Sequence, residues 1–128
     1  MTSYKNNIIR YSDGSLAQGR VGIGVSGPDM ETSLSLPNQC TIFSAEVAAA
    51  YIAAVTQAER PLAILTDSAS VVTALQSDTV SHPWLQQLLL EVSPDTTFVW
   101  IPGHCGISGN EKTDHLAKLG RNQVRFTN

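Results

Sequence analysis

The stretch "PLAILTD" at residues 61–67 decides the fold, because it is a continuous apolar run that ends in an aspartate. A strand that is apolar at every position is typical of a sheet whose two faces are both covered by helices. We therefore predict a strand over 61–67 that is buried on both faces, with Asp67 at its exit.

Upstream of this strand, three short runs with partial apolar alternation are separated by Gly, Asp and Pro. They occupy residues 7–13, 20–26 and 32–37 and predict an antiparallel meander. The alanine-rich stretch "FSAEVAAAYIAAVTQAE" (43–59) follows. It predicts a helix with Ser44 as its N-cap.

Downstream of the strand, the pattern predicts a short helix over 68–76 and a second helix over 82–94 with Pro83 at its first position. The predicted buried stripe of the second helix is formed by Leu85, Leu88, Leu89 and Val92. A last strand (96–102) and a last helix (110–120) that ends at Gly120 complete the chain. A hairpin meander followed by β-α-β units predicts an α/β fold. Its five-stranded mixed sheet has three antiparallel strands and then two parallel strands, flanked by helices. No repeat or linker interrupts the pattern, so residues 1–128 are expected to form a single domain.

Composition excludes several classes of protein. The hydrophobic fraction of 42% and the charged fraction of 15% are those of a globular chain rather than a disordered one. No apolar run approaches the length of about 20 residues that spans a membrane, and the N-terminus lacks a signal-peptide core. We expect an intracellular monomer with free thiols at Cys40 and Cys105 and no zinc site. Trp84 and Trp100 are expected in the core.

Two aspartates follow similar strands. In "IIRYSDGS" and "LAILTDSAS" an apolar run leads into Ser/Thr-Asp-Gly/Ser, which predicts Asp13 and Asp67 at the exits of two strands. Active groups in such sheets gather at the carboxyl ends of strands. Each aspartate alone is as well explained as a cap of a turn or helix, but the pair favours a site.

Two further acids lie on predicted helices. Glu46 stands among small and apolar residues near the start of a helix that must pack on the sheet, although a first-turn glutamate also suits the helix dipole. Asp114 lies in the first turns of the last helix, near the edge of an apolar stripe that contains Leu116, Ala117 and Leu119. Ser108 and Glu111 offer a capping box for the same helix.

Several carboxylates that converge on one point need a compensating cation, because like charges raise each other's pKa. All-oxygen ligation suits Mg²⁺ or Mn²⁺, and two such ions about 3.5–4 Å apart form a clamp for phosphodiester hydrolysis. The net charge of −3 argues against nucleic-acid binding by a basic surface. Two bound divalent ions would change that formal charge to +1, concentrated at the site.

The assembled motifs resemble those of ribonuclease H. "YSDGS", "SAE", "TDSAS" and "WIPGHCGISGNEKTDHLA" stand in the order in which that family keeps its acidic residues and its histidine loop. The resemblance covers essentially the whole chain. It is greatest to the ribonuclease H domains of non-LTR retrotransposon polyproteins, in which the ribonuclease H domain follows a reverse transcriptase domain.

The resemblance implies a ribonuclease H-like fold and an endonuclease that cuts the RNA strand of RNA/DNA hybrids, leaving 5′-phosphate and 3′-hydroxyl ends. It implies two Mg²⁺ ions, replaceable by Mn²⁺, and a location in the cytoplasm, the nucleus or both. A reverse transcriptase domain in the same polyprotein is the implied partner. Carried over by position, the metal ligands are Asp13, Glu46, Asp67 and Asp114. His104 would move a proton or help the product leave, and Thr41 would hold a phosphate of the DNA strand.

The sequence also departs from the family. The segment "QSDTVSHPWLQQLLLEV" has no lysine or arginine, so the basic protrusion with which cellular enzymes grip the DNA strand is absent, and Ala69 replaces a polar residue found after the third acid. Both changes predict weak hybrid affinity for the domain alone. The glycines at 103, 106 and 109 predict a hinged loop around His104.

The sequence leaves three alternatives to this interpretation. A G-x-G-x-x-G match at residues 22–27 is followed by Pro28 rather than a helix, so we interpret its glycines as sites of close packing and not as a dinucleotide site. An integrase, resolvase or exonuclease would also cluster acids, but gives no reason for the His104 loop. A non-catalytic binding module of the same fold is the other alternative, and the presence of all four acids argues against it.

Overall fold

The computed structural model of the chain describes residues 6–77, 79–103 and 106–123. Strands and helices follow one another in the order β-β-β-α-β-α-α-β-α. The strands are β1 (Ile8–Ala17), β2 (Arg20–Ser26), β3 (Glu31–Leu36), β4 (Leu62–Thr66) and β5 (Thr96–Trp100). The helices are α1 (Ile42–Val55), α2 (Ala69–Leu75), α3 (Pro83–Glu91) and α4 (Ser108–Arg121).

The five strands form one mixed sheet in the order β3-β2-β1-β4-β5. β1 is antiparallel to β2, and β2 is antiparallel to β3. β4 is parallel to both β1 and β5. The predicted α/β class and the mixed sheet of three antiparallel and two parallel strands are therefore confirmed.

The face of the sheet under α1 holds the main core. Val21, Ile23 and Val25 of β2 are fully buried there together with alanines of α1. Because alanine adds only one methyl group, the α1 backbone can pack close to the strands. A second hydrophobic cluster, which includes Leu85 and Leu88 of α3, packs against the other side of α1.

The opposite face of the sheet is packed against α4 through glycines of β2. A Cβ atom at Gly22 would lie 2.2 Å from the Ala117 carbonyl oxygen, and one at Gly24 would lie 2.6 Å from the Thr113 carbonyl oxygen. These are backbone atoms, so no side chain can occupy either position without moving the helix. The interpretation of the 22–27 glycines as sites of close packing is confirmed for these two positions.

A buried arginine, which the sequence did not reveal, joins β1 to the end of α1. The Arg10 guanidinium is fully buried and donates hydrogen bonds to the carbonyl oxygens of Ala53, Thr56 and Gln57 at 2.8–2.9 Å. It also pairs with Asp29 in the turn between β2 and β3 at 2.6 Å, and its hydrogen bonds lower the pKa of the Asp29 carboxyl. The carbonyls at a helix C-terminus favour a cation, so Arg10 fixes the end of α1.

Several helix ends differ from the prediction. α1 begins at Ile42, and its N-cap is Thr41, whose Oγ1 accepts a hydrogen bond from the Ser44 N–H at 3.0 Å; Ser44 as N-cap was therefore wrong. α4 begins at Ser108 after Ile107, which makes no side-chain cap, so the capping box was also wrong. The helix continues one residue past Gly120 to Arg121, and a Cβ atom at Gly120 would lie 2.4 Å from the Leu34 carbonyl oxygen, so this glycine allows close packing on β3 rather than ending the helix.

Four apolar side chains predicted to be buried are largely exposed. Trp84 is 39% exposed and Trp100 is 50% exposed, so their placement in the core was wrong. Leu89 and Leu119 are similarly exposed, because the packed sides of their helices are formed by other residues. Among the helices described, none is both long enough and apolar enough to cross a membrane.

The close contact between β2 and α4 predicts that one added methyl group lowers the stability of the fold. Gly22→Ala should lower the free energy of unfolding by about 1–3 kcal/mol, the usual cost of overpacking a close contact. Ser35→Ala is the matched control, because Ser35 pairs with Gly22 across β2 and β3 and the substitution adds no atom. Urea denaturation of the two variants measures the difference, and equal stabilities would contradict this packing.

Candidate active site

Asp13 and Asp67 lie side by side because of the register of β1 and β4. The parallel pairing of these strands ends at Ser12 and Thr66, and each aspartate is the next residue along the chain. Asp67 lies at the exit of β4 as predicted. Asp13 does not lie at a strand exit, because β1 continues to Ala17 and Asp13 pairs with Gly24 of β2. The two carboxylates are nevertheless neighbours, since both follow the last paired residues.

Glu46 reaches the same place from α1. A Cβ atom at Gly14 would lie 2.9 Å from the Ala45 Cβ and 3.0 Å from the Glu46 backbone nitrogen, so glycine at 14 lets the first turns of α1 approach β1. The Gly14 N–H donates hydrogen bonds to Asp13 Oδ1 at 2.9 Å and to Glu46 Oε2 at 3.1 Å. Gly14 is thus a site residue that sequence reasoning missed, although the motif "YSDGS" contained it.

The three acids form one cluster, and the fourth touches it. Asp13, Glu46 and Asp67 each offer a carboxylate oxygen, and these oxygens all lie within 4.8 Å of one another. Asp114, in the second turn of α4, is hydrogen-bonded to Asp13 and forms an ion pair with Lys118 Nζ at 2.8 Å. The structure therefore brings together the four acids that the sequence predicted.

The electrostatics of the cluster follow from its burial and its charge. Burial first, and then the negative charges of Asp67 and Asp114, raise the pKa of Asp13 to about 8. Burial, followed by the charges of Asp13 and Asp67, raises the pKa of Glu46 to about 9. The Gly14 N–H opposes both shifts but does not outweigh them. Without a cation, the cluster therefore holds protons at neutral pH.

Thr41 and His104 are the other two residues predicted for the site. Thr41 is exposed at the start of α1, where its hydroxyl donates a hydrogen bond to Ser44 Oγ at 3.1 Å. His104 lies outside the described residues, so its role stays a prediction. The hinge predicted around it likewise stays a prediction, and two of its three glycines make close contacts in the structure. Gly103 packs on the Asp67 carboxylate and Gly109 packs on the Tyr11 ring, whereas Gly106 has a φ of 75°.

The donor set fits a hard divalent cation. Its ligand atoms are all carboxylate oxygens, which Mg²⁺ and Mn²⁺ prefer. Burial and the neighbouring negative charges raise the pKa values of Asp13 and Glu46. A cation at this place would restore the ionised form of both carboxyl groups.

Comparison with known families agrees with this geometry. A family model described as RNase H matches residues 5–122, which includes every strand and helix of the fold. The chain belongs to the ribonuclease H family. It is accordingly a hydrolase that cleaves the RNA of RNA/DNA hybrids, and this ribonuclease H has the sheet order and helices of the ribonuclease H-like fold. Members of the family use divalent metals, for which Asp13, Glu46 and Asp67 are the candidate ligands.

The raised pKa values predict how stability depends on pH in the absence of metal. Asp13 and Glu46 keep protons in the folded state up to about pH 8 and 9, whereas the unfolded chain releases them near pH 4. The folded state binds more protons, so its stability increases as the pH is lowered from about 9 towards 5. Thermal midpoints in EDTA should therefore be higher at pH 6 than at pH 8.

Two variants test whether the clustered carboxyl groups cause this difference between the thermal midpoints at pH 6 and pH 8. Asp13→Asn removes one of the titrating groups and lowers the repulsion on Glu46, so the difference between the two midpoints should shrink. Asp95→Asn changes an aspartate outside the cluster and should leave the difference unchanged. A midpoint that rises with pH in EDTA would contradict the raised pKa values.

Proposed function

We propose that this ribonuclease H cleaves the RNA strand of RNA/DNA hybrids by a two-metal mechanism that leaves 5′-phosphate and 3′-hydroxyl ends. Asp13, Glu46, Asp67 and Asp114 would hold two Mg²⁺ ions, and Mn²⁺ would substitute. The observation that carries the proposal is the set of three carboxylates whose oxygens lie within 4.8 Å of one another, with Asp114 hydrogen-bonded to Asp13.

When bound, the two ions supply activation of the attacking water and stabilisation of the departing 3′ oxygen. The contribution of the chain is to hold the ligands in place. The Gly14 N–H fixes one oxygen of Asp13 and one of Glu46, and the end of β4 carries Asp67 to the same point. Since Asp13 and Glu46 are protonated in the metal-free protein at neutral pH, metal binding releases protons, and the affinity for metal should rise with pH.

Two further roles are proposed by position in the family motifs. His104 would move a proton or assist release of the product, since an imidazole with an ordinary pKa near 6.5 exchanges protons at neutral pH. Thr41 would contact a phosphate of the DNA strand, and its exposure at the N-terminus of α1 leaves it accessible to a backbone phosphate. Discrimination for RNA would come from 2′-hydroxyl contacts in the minor groove.

We also propose that the domain serves retrotransposon reverse transcription in the cytoplasm or nucleus, next to a polymerase domain that supplies the hybrid. The chain has no lysine or arginine from Pro61 to Glu111, a range that contains α2, α3 and β5. Of the basic residues elsewhere, Arg10 is buried, and Lys112 and Lys118 are paired with acids. A domain with a net charge of −3 and no lysine or arginine across these elements gains little affinity from phosphate contacts made through them.

The first test is hybrid cleavage with one matched pair of variants. The wild-type chain with Mg²⁺ or Mn²⁺ should cut the labelled RNA of a hybrid and spare the DNA strand and single-stranded RNA. Asp67→Asn should reduce cleavage to background, because an amide cannot replace the charge of the ligand, while circular dichroism shows a retained fold.

The control is Asp95→Asn, which makes the same chemical change at an exposed aspartate paired with Arg60 at 3.7 Å. That variant should cleave at the wild-type rate. Undiminished cleavage by Asp67→Asn would remove Asp67 from the metal site.

The second test concerns substrate supply. The KM of the isolated chain for a hybrid should depend weakly on salt, with a slope of log KM against log salt of less than about 2, because each neutralised phosphate contributes about 0.7–0.9. Fusion to a sequence-independent hybrid-binding domain should lower KM and leave kcat unchanged. A steep salt slope for the isolated chain would indicate a basic surface that this proposal excludes.

A further inference from the structure

The segment that follows β5 is held against Asp67 at two points. The Ile101 N–H donates to the Thr66 carbonyl oxygen at 2.9 Å and so extends the pairing of β4 and β5 by one residue. Immediately before it, Trp100 Nε1 donates a hydrogen bond to the Asp67 carbonyl oxygen at 3.3 Å. The backbone of Asp67 is therefore tied to the end of β5.

The second contact involves the Asp67 side chain. A Cβ atom at Gly103 would lie 3.0 Å from Asp67 Oδ2 and 3.5 Å from Asp67 Cβ. Gly103 does not have a positive φ, so the backbone conformation does not require glycine here. The effect of a side chain here is on space, because a methyl group at 103 would lie closer to the Asp67 carboxylate than an ordinary contact and would displace it by a few tenths of an ångström.

The exposure of Trp100 shows that its position is not explained by the core. The side chain is 50% exposed, on a strand whose Phe98 packs against both hydrophobic clusters. An indole that is half in solvent gains less from burial than one in the core, and its directional interaction is the hydrogen bond from its N–H to the Asp67 carbonyl oxygen. A glycine and an indole within four residues thus contact the same aspartate.

We propose that Trp100 and Gly103 are positioning residues that set the orientation of the Asp67 carboxylate towards Asp13 and Glu46, and thereby the affinity of the site for a divalent cation. The inference rests on the proposed role of Asp67 as a metal ligand. Groups that orient a metal ligand typically change metal affinity by 10–100-fold when they are removed. Trp100 acts on the Asp67 backbone, and Gly103 leaves room for its side chain.

The test measures Mn²⁺ binding to the 1–128 chain without substrate, by electron paramagnetic resonance of the free ion. Trp100→Phe removes the N–H donor and keeps an aromatic ring. Replacement of Trp100 by β-(3-benzothienyl)alanine keeps the shape of the indole and removes only the N–H. Gly103→Ala adds the one methyl group that the Asp67 carboxylate must avoid. Each change should raise the dissociation constant for Mn²⁺ about tenfold.

Two controls separate positioning from a general structural effect. Trp84→Phe changes the other exposed tryptophan, and Pro102→Ala changes an exposed residue between the two contacts. Both controls should bind Mn²⁺ as the wild type does. Thermal midpoints of all variants in EDTA show whether they are folded, and KM for the hybrid at saturating Mn²⁺ should not change in the Trp100 and Gly103 variants.

The outcomes decide the inference. Wild-type Mn²⁺ affinity in Gly103→Ala or in the benzothienylalanine variant would overturn the role of that residue, even if Trp100→Phe binds weakly. Absence of Mn²⁺ binding by the wild-type chain would overturn the inference together with the metal site. Failure of the proposed function is recognised separately, as absence of hybrid cleavage by a wild-type chain that binds Mn²⁺.

Discussion

The repulsion between carboxylates held at one point is the constraint on which the rest of this structure depends. Asp13, Glu46 and Asp67 come from two strands and a helix, and Asp114 from a second helix. Their mutual repulsion and their burial both oppose ionisation. In a flexible chain these carboxyl groups would move apart. The strands and helices that carry them must therefore hold them in place. The fold is therefore a rigid frame around carboxyl groups that cannot all be ionised at neutral pH without a cation.

That frame is rigid because its backbones approach closely on both faces of the sheet. Glycines at 22 and 24 bring α4 onto β2, and Gly14 brings the start of α1 onto β1. At the other end of α1, the Arg10 guanidinium ties the helix to β1 and to the turn that carries Asp29. The two helices that carry acids, α1 and α4, thus pack against the backbone of the strands. Backbone atoms cannot move aside as side chains can.

Much of the fold and of the site was predictable from the sequence, and the errors have physical causes. Hydrophobic periodicity placed the nine elements that the described residues form, because the period of apolar residues differs between helices and strands. The helix ends were less well predicted, because a cap depends on which of several polar residues meets a free N–H, as at Thr41 rather than Ser44. Arg10 was not predicted, because its partners are carbonyl groups more than forty residues away along the chain.

By itself the sequence determined the class of fold, the order of its elements and the four acids, since these follow from residue type and local pattern. Only the tertiary structure decided which contacts each residue makes. It placed Trp100 beside Asp67 rather than in the core. It also placed Gly103 against Asp67 and Gly109 against Tyr11, two close contacts that the glycine pattern did not indicate. The reason is that space and partners for a side chain are supplied by segments distant in sequence, and no local pattern records them.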